Sequence, residues 1–473
     1  MQRFLIYFLF CLSGAVALVY ESLWSRYLKL FLGHSSYGQI VTLIVFMGGL
    51  GLGAFLAARF IGKVRHPFLA YARIELIAAV FGFGFHPAYE AFSGWFFDRA
   101  AGFQEMGPLV AGAIQIGLCL LLTLPFATLL GMTFPLLATG MIRHFRDGGK
   151  ASLPLLYFGN SLGGAAGILL CSYWLVSAFG THGALQMAAL GNLIVGGGFY
   201  VLHRTGLTGE TKASEATSEP SHGGPDKTTN PRIALWLFVA AGTGLASFIY
   251  EVGWIRLLSL ILGSSTHSFD AMISAFILGL ACGGLFVKKI LHRCHGDLAP
   301  VLGVIQVLMG CFAALSLYLY RPLFDAVQNS HALFAKTEEA FPLYSVYKYL
   351  LCLALMFPAA FCAGMTLPLI TWRLIRDTGR EASTGLVYGW NTVGSIIGAA
   401  LAGLVLIPVL QLKWTIFAGA ALDVVLGLIL LTVSFRASAR TNQNRTFAPL
   451  ALRGAALALV AAALLPAFWT EFD

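Results

Sequence analysis

The chain has 473 residues, of which 58% are hydrophobic and only 11% charged, and its mean hydropathy is +0.79. A soluble domain carries about a quarter charged residues, so this composition excludes one and makes the lipid bilayer the chain's first partner. The net charge of +9 does not imply a nucleic-acid partner either, because a membrane protein gathers Lys and Arg on its cytoplasmic loops.

Apolar runs of roughly 17 to 25 residues cross a bilayer as helices, which keep their backbone hydrogen bonds internal where water is absent. The first run, 5–19, follows Arg3 and ends near Ala15-Val16-Ala17, a pattern that also fits a cleavable signal peptide. Its counterpart at 233–249 is internal and leads into the same downstream motif, so both are read as membrane helices. Further spans are predicted at 39–58, 69–85, 109–130, 153–176 and 183–202. The second half repeats the series at 269–287, 298–320, 346–363, 386–410 and 414–435, and one more span is expected at 449–467. Six spans in each half bring both halves into the membrane the same way round, so the expected fold is an all-α polytopic membrane protein of about 13 transmembrane helices: two parallel six-helix repeats, which resemble the two halves of major-facilitator proteins, plus one C-terminal helix.

Charge orients the spans. Arg59, Lys63, Arg65, Arg143, Arg146, Lys150, Lys288, Lys289, Arg293, Arg373, Arg376, Arg380, Arg436, Arg440 and Arg445 all fall on one side, which predicts a cytoplasmic N-terminus and an outer C-terminus in an inner membrane. Residues 205–232, rich in Ser, Thr, Glu, Gly, Lys and Pro, read as a flexible cytoplasmic linker. The expected domains are thus 1–204, the linker 205–232, 233–435, and a basic loop with the last helix at 436–473. Six of the eight cysteines lie in apolar runs and there is no CxxC pair, so no disulfide framework is expected.

Three motifs are duplicated in order. Tyr20-Glu21-Ser22-Leu23-Trp24-Ser25-Arg26 returns 230 positions later as Tyr250-Glu251-Val252-Gly253-Trp254-Ile255-Arg256, each followed by a Gly-Ser/Thr turn. Gly131-Met132-Thr133-Phe134-Pro135-Leu136 matches Gly364-Met365-Thr366-Leu367-Pro368-Leu369, and Tyr157-Phe158-Gly159-Asn160-Ser161-Leu162-Gly163 matches Tyr388-Gly389-Trp390-Asn391-Thr392-Val393-Gly394. This set resembles the membrane portion of the fused major-facilitator/spermidine synthase family, over nearly all of residues 13–435. The resemblance implies a multi-pass membrane region joined, in that family, to a Rossmann-type aminopropyltransferase-like domain. After Phe435 only a basic loop, one apolar run and a five-residue tail are expected, so the synthase activity is not carried over. Residues 53–63 bear a looser likeness to the major-facilitator loop signature, with Ala58 where an acidic residue is expected.

Candidate site residues are the ionisable and polar groups within or beside the spans, where charge is costly and so faces a cavity or a partner. Tyr20, Glu21, Trp24 and Arg26, with Tyr250, Glu251, Trp254 and Arg256, form the duplicated set. The acids and bases are expected to pair across the pseudo-two-fold, Glu21 with Arg256 and Glu251 with Arg26; the alternative makes the aromatics interfacial anchors and the arginines phosphate contacts. Asn160 and Asn391 lie among glycines and suit helix packing with an interhelical hydrogen bond, or substrate binding. Pro135 and Pro368 either break their helices and free carbonyls, or kink them with polar groups satisfied internally. Glu75 and Asp423 are unduplicated acids suited to proton coupling; Arg73, Asp270 and Lys348 are further polar residues. His34 and His267 suit a pH sensor or the interface. No catalytic residue is identified. His292-Arg293-Cys294-His295 lacks a second ligand pair, so neither metal nor cofactor is expected.

The function these features favour is secondary transport of a small polar or amphipathic molecule through a cavity between the repeats; no ATP-binding loop is visible. Two alternatives stand beside it. One is an intramembrane or outer-face enzyme, or the membrane subunit of a spermidine-synthase-like transferase, acting on a lipid or membrane-delivered substrate. The other is a non-catalytic scaffold for a separate soluble or periplasmic partner.

Overall fold

The computed structural model describes residues 2–33, 36–145, 152–206, 231–294, 297–334, 337 and 339–440. The expected last span and most of the expected linker lie outside the described residues.

Among the described residues the only regular elements are helices. In the first half these are α1 (Gln2–Leu32), α2 (Ser36–Phe60), α3 (Pro67–Asp98), the short α4 (Ala100–Glu105), α5 (Pro108–His144), α6 (Leu153–Leu170) and α7 (Val176–Arg204). In the second they are α8 (Pro231–Leu262), α9 (Thr266–Arg293), α10 (Ala299–Leu315), the short α11 (Tyr320–Leu333), α12 (Phe341–Thr378), α13 (Ser383–Leu401) and α14 (Ile407–Arg440). Among the described residues ten stretches are long and apolar enough to span a membrane. Two of them, Leu153–Arg204 and Ser383–Phe435, are 52 and 53 residues long. A straight helix of that length would reach roughly 80 Å at 1.5 Å per residue, more than twice the ~30 Å of hydrocarbon, so each must be two crossings.

The backbone divides them where required. Gly180 (φ 68°, ψ 179°) and Gln411 (φ 64°, ψ 175°) interrupt the two long stretches at equivalent positions. Each break follows a π-helical turn, Cys171–Leu175 and Ala402–Leu406. The two halves therefore share local irregularities as well as helix order, giving twelve crossings among the described residues.

Packing repeats in the same way. Within the first half α1 lies on α6, α2 on α5 and α3 on α7; within the second α8 lies on α13, α9 on α12 and α10 on α14. The halves meet through α6 against α9 and α2 against α13, a reciprocal pair. Glycine sets the α1–α6 and α8–α13 crossings: a Cβ at Gly163 would strike the Cys11 carbonyl, and one at Gly394 would strike the Ala241 carbonyl. Such approach of backbone to backbone is how helices associate where lipid offers no hydrophobic drive.

Pro135 and Pro368 do not break their helices. Both α5 and α12 run through them, and the Thr133 and Thr366 hydroxyls donate to the carbonyls of Leu130 and Ala363 at 2.6 and 2.7 Å. The alternative that breaks the helix is therefore not the one formed.

Candidate functional site

Both Tyr-Glu-x-x-Trp-x-Arg motifs lie inside helices, not at their mouths. Helix α1 runs on to Leu32 and α8 to Leu262, because the charged residues after Val19 and Ile249 turn toward protein and do not have to end the span. This corrects the interfacial reading of the aromatics: Tyr20, Trp24, Tyr250 and Trp254 are all buried. Trp24 stacks on Phe85 with centroids 5.5 Å apart and meets Phe126 edge-on at 4.7 Å. Trp254 donates from Nε1 to Ser316 Oγ at 2.8 Å. Their bulk fixes the angle at which α1 and α8 present the neighbouring acids.

Those acids face a common space. A cavity of about 310 Å³ lies between the halves, lined by Glu21, Trp24, Glu251, Arg256, Asn391 and, toward the other end, Tyr157 and Tyr388. Glu251 is 8% exposed and its Oε2 has no hydrogen-bond partner. Among the described residues neither the Glu21 nor the Arg256 side chain makes a hydrogen bond or ion pair. The remainder of the wall is apolar or hydroxylic, including Phe46, Phe248, Phe276, Ser22, Thr42, Thr123, Thr392 and Ser395.

The expected cross-pairing of acids and arginines does not form. Arg26 pairs instead with Asp270 on α9, at 2.9 Å across the two halves. Ser22 donates to both Asp270 oxygens at 3.2 and 3.3 Å, and Ser172 meets His267 Nδ1 at 3.0 Å beside them. Position 40, which stands 230 residues before Asp270, is isoleucine, so the first repeat has no matching acid for Arg256. One member of the arginine pair is thereby neutralised and the other left facing the cavity.

At the opposite end, where α1 begins and α12 ends, a second layer joins the halves. Phe134 stacks on Tyr388 at 4.5 Å, with Tyr157 next to both at 6.4 and 6.5 Å. Beyond these rings Arg143 grips Glu381 at 2.6 Å while its guanidinium also donates to the carbonyls of Val64 and Ile61. The cavity is bracketed by an ionic layer at one end and by an aromatic and ionic layer at the other.

Four candidates remain, one at the cavity wall and three away from it. Asn391 lines the cavity and also donates from Nδ2 to the Ala240 carbonyl at 3.0 Å, tying α13 to α8. Asn160 sits at the matching α1–α6 crossing, against Gly14. Glu75 and Asp423 are fully buried inside their own halves, away from the cavity. Ser13 Oγ and Asn192 Nδ2 each donate to Glu75 at 2.6 Å. In the second half Gln306 Nε2 donates to Asp423 at 3.4 Å and Thr243 Oγ1 to Gln306 Oε1 at 3.3 Å. These are the same three positions, offset by 230 or 231, with acid and amide exchanged between them. The two acids are therefore a duplicated feature after all; the signal was present in the spacing and hidden by the exchange. Arg73, two residues from Glu75, is exposed on the opposite face of α3.

Sequence reading missed Asp270 as the partner of Arg26, and Arg143, Glu381 and Phe134 as an end layer. Among the described residues no cluster of His, Cys, Asp or Glu could hold a metal ion. His34 lies outside them.

Two like-oriented six-helix halves around a central cavity define a membrane protein of major-facilitator-like fold. Among solved structures the chain is similar to the nucleoside transporter NupG, with a TM-score of 0.53 and 15% identity over 91% of this chain and 97% of that one. It is likewise similar to a bacterial homologue of the iron transporter ferroportin in an outward-facing state, with a TM-score of 0.54 and 13% identity over 91% of this chain and 99% of that one. At such identities the likeness shows the fold. No family model matches the chain, and no curated protein matches it in sequence.

Proposed function

We propose that the protein is a secondary transporter that moves a small polar or amphipathic molecule through the cavity between its halves. The observation that carries this reading is the cavity itself: one space lined from both halves, holding unpaired Glu21, Glu251 and Arg256, and bracketed by two layers of contacts between the halves. Charges held without a partner inside a membrane protein are costly, and a passing solute or ion gives them a reason to be there. Rocking of the halves would open the Arg26–Asp270 layer and the Phe134–Tyr388 layer in turn. The transporters of similar fold support the reading as analogues only.

The reading extends to the domains and the setting. Residues 1–204 and 233–435 act as the two moving bodies, joined by the linker 205–232, with a further helix in 436–473. The basic end faces the cytoplasm of an inner membrane and the Arg26–Asp270 layer faces outward, on the distribution of Lys and Arg. The motif-level resemblance to the membrane portion of fused major-facilitator/spermidine synthases is compatible with transport in that family's setting.

The test is flux in proteoliposomes containing the purified protein, screened over small polar and amphipathic solutes with and without an imposed proton gradient. Uptake that Glu251→Gln abolishes supports the reading. A protein that moves none of them, or that changes a solute covalently, overturns it.

A further inference from the structure

The charges left unpaired in the cavity are of both signs, and their arrangement selects a kind of solute. Glu21 and Glu251 occupy equivalent positions on α1 and α8 and so lie at one depth. Arg256 is five residues beyond Glu251 on α8, roughly 7.5 Å further along the helix axis toward the Arg26–Asp270 layer. Aromatic side chains, Trp24, Phe46 and Phe276 among them, fill the wall around these groups. A purely cationic solute would serve the acids and leave the Arg256 guanidinium unpaired in a largely apolar space. A purely anionic one would serve Arg256 and leave two carboxyl groups, one of them more than nine-tenths buried with a free oxygen.

We infer that the cavity binds a zwitterionic amine: an ammonium group at Glu21 and Glu251, an acidic group at Arg256, and an apolar body against the aromatic wall. The sequence explains why this polarity survives duplication. Asp270 captures Arg26, and no acid stands at position 40 to capture Arg256, so of the two motif arginines only one has an acidic partner. A symmetric arrangement would have offered either two free arginines or none. The broken one offers two acids and a single base, which fixes which end of the solute points outward. This inference rests on the transport reading for its biological use but not for its test, which measures binding alone.

The experiment uses three matched sets of probes differing in one charged group: phenylalanine, phenethylamine and 3-phenylpropionate; leucine, 3-methylbutylamine and 4-methylpentanoate; tryptophan, tryptamine and indole-3-propionate. Binding to the full chain in nanodiscs is measured by calorimetry and by thermal shift. In at least one set the zwitterion is expected to bind tenfold or more tighter than both relatives, since a site built for a polar group rejects the analogue that lacks it. Arg256→Gln should remove the preference of the zwitterion over its amine without weakening the amine. Glu251→Gln should weaken zwitterion and amine at least tenfold and spare the acid. Arg256→Lys, which keeps the charge, should recover part of the preference and guards against a folding artefact. An amine that binds as tightly as its zwitterion, a preference that survives Arg256→Gln, or failure of every set to bind would each overturn the inference. Binding as expected without flux in proteoliposomes would leave the site standing and remove the transport reading instead.

Discussion

Asp270 is 1% exposed and Arg26 17%, so the two members of the ion pair between the halves are desolvated unequally. Removing the guanidinium leaves the buried carboxylate with the Ser22 and Ser172 hydroxyls and the more distant Lys29, whereas removing the carboxylate leaves the less buried Arg26. Breaking a buried pair from one side typically costs about 3–5 kcal/mol, and the cost belongs to the charge left behind. Arg26→Gln should therefore destabilise the protein by about 3 kcal/mol and Asp270→Asn by about 1 kcal/mol, read from unfolding in detergent. Equal losses would contradict the unequal burial. The core triads make a second residue-scale prediction. Asn192→Asp sets a second carboxyl against Glu75 where both side chains are fully buried and should destabilise by roughly 3 kcal/mol. Adding Glu75→Gln recreates the arrangement of Gln306 and Asp423 and should restore most of that loss in the same assay.

At the scale of elements, the breaks at Gly180 and Gln411 differ in one respect. Both residues have φ near +65° and ψ near 180°, a region that glycine occupies freely and a side chain does not. A Cβ at Gly180 would meet nothing within 4 Å, so substitution there reports on the backbone and not on packing. Gln411→Gly should stabilise the protein by about 1 kcal/mol and Gly180→Gln should cost a similar amount, both as shifts in the unfolding midpoint. The twelve crossings among the described residues, their repeat and their glycine-lined contacts could be read from apolar runs and motif spacing, because those features are set by local composition. The ends of α1 and α8 could not, since a glutamate or arginine that faces protein does not stop a helix and nothing local marks which way it faces. Spacing also identified equivalent residues rather than touching ones. It gave Glu21 and Glu251 as counterparts, and they do share the cavity; it could not give Asp270 to Arg26, because that bond has no counterpart in the other repeat.

At the scale of the whole molecule, the two end layers cannot both open without separating the halves, since α2–α13 and α6–α9 carry the contact between them. Each layer spends its strongest interactions across that boundary: Arg26–Asp270 and Ser172–His267 at one end, Arg143–Glu381 and Phe134–Tyr388 at the other. If the halves move as bodies, loosening one end should favour the state that opens there. Phe134→Ala removes the stacked ring at the basic end while leaving the ionic layer at the opposite end intact. In a variant stripped of its eight cysteines, a cysteine placed at Leu367, which lines the cavity on the side of Tyr388, should then label with an impermeant thiol reagent about tenfold faster from the basic side. Arg26→Gln should instead slow that labelling and speed modification of a cysteine at Ile255, on the cavity wall near Arg256, from the opposite side. The factor of ten corresponds to about 1.4 kcal/mol of bias between two states, within reach of one lost ring or ion pair. Labelling that rises from both sides in either variant would mean that the ends open independently, and a rigid two-body rocking of this fold would have to be given up.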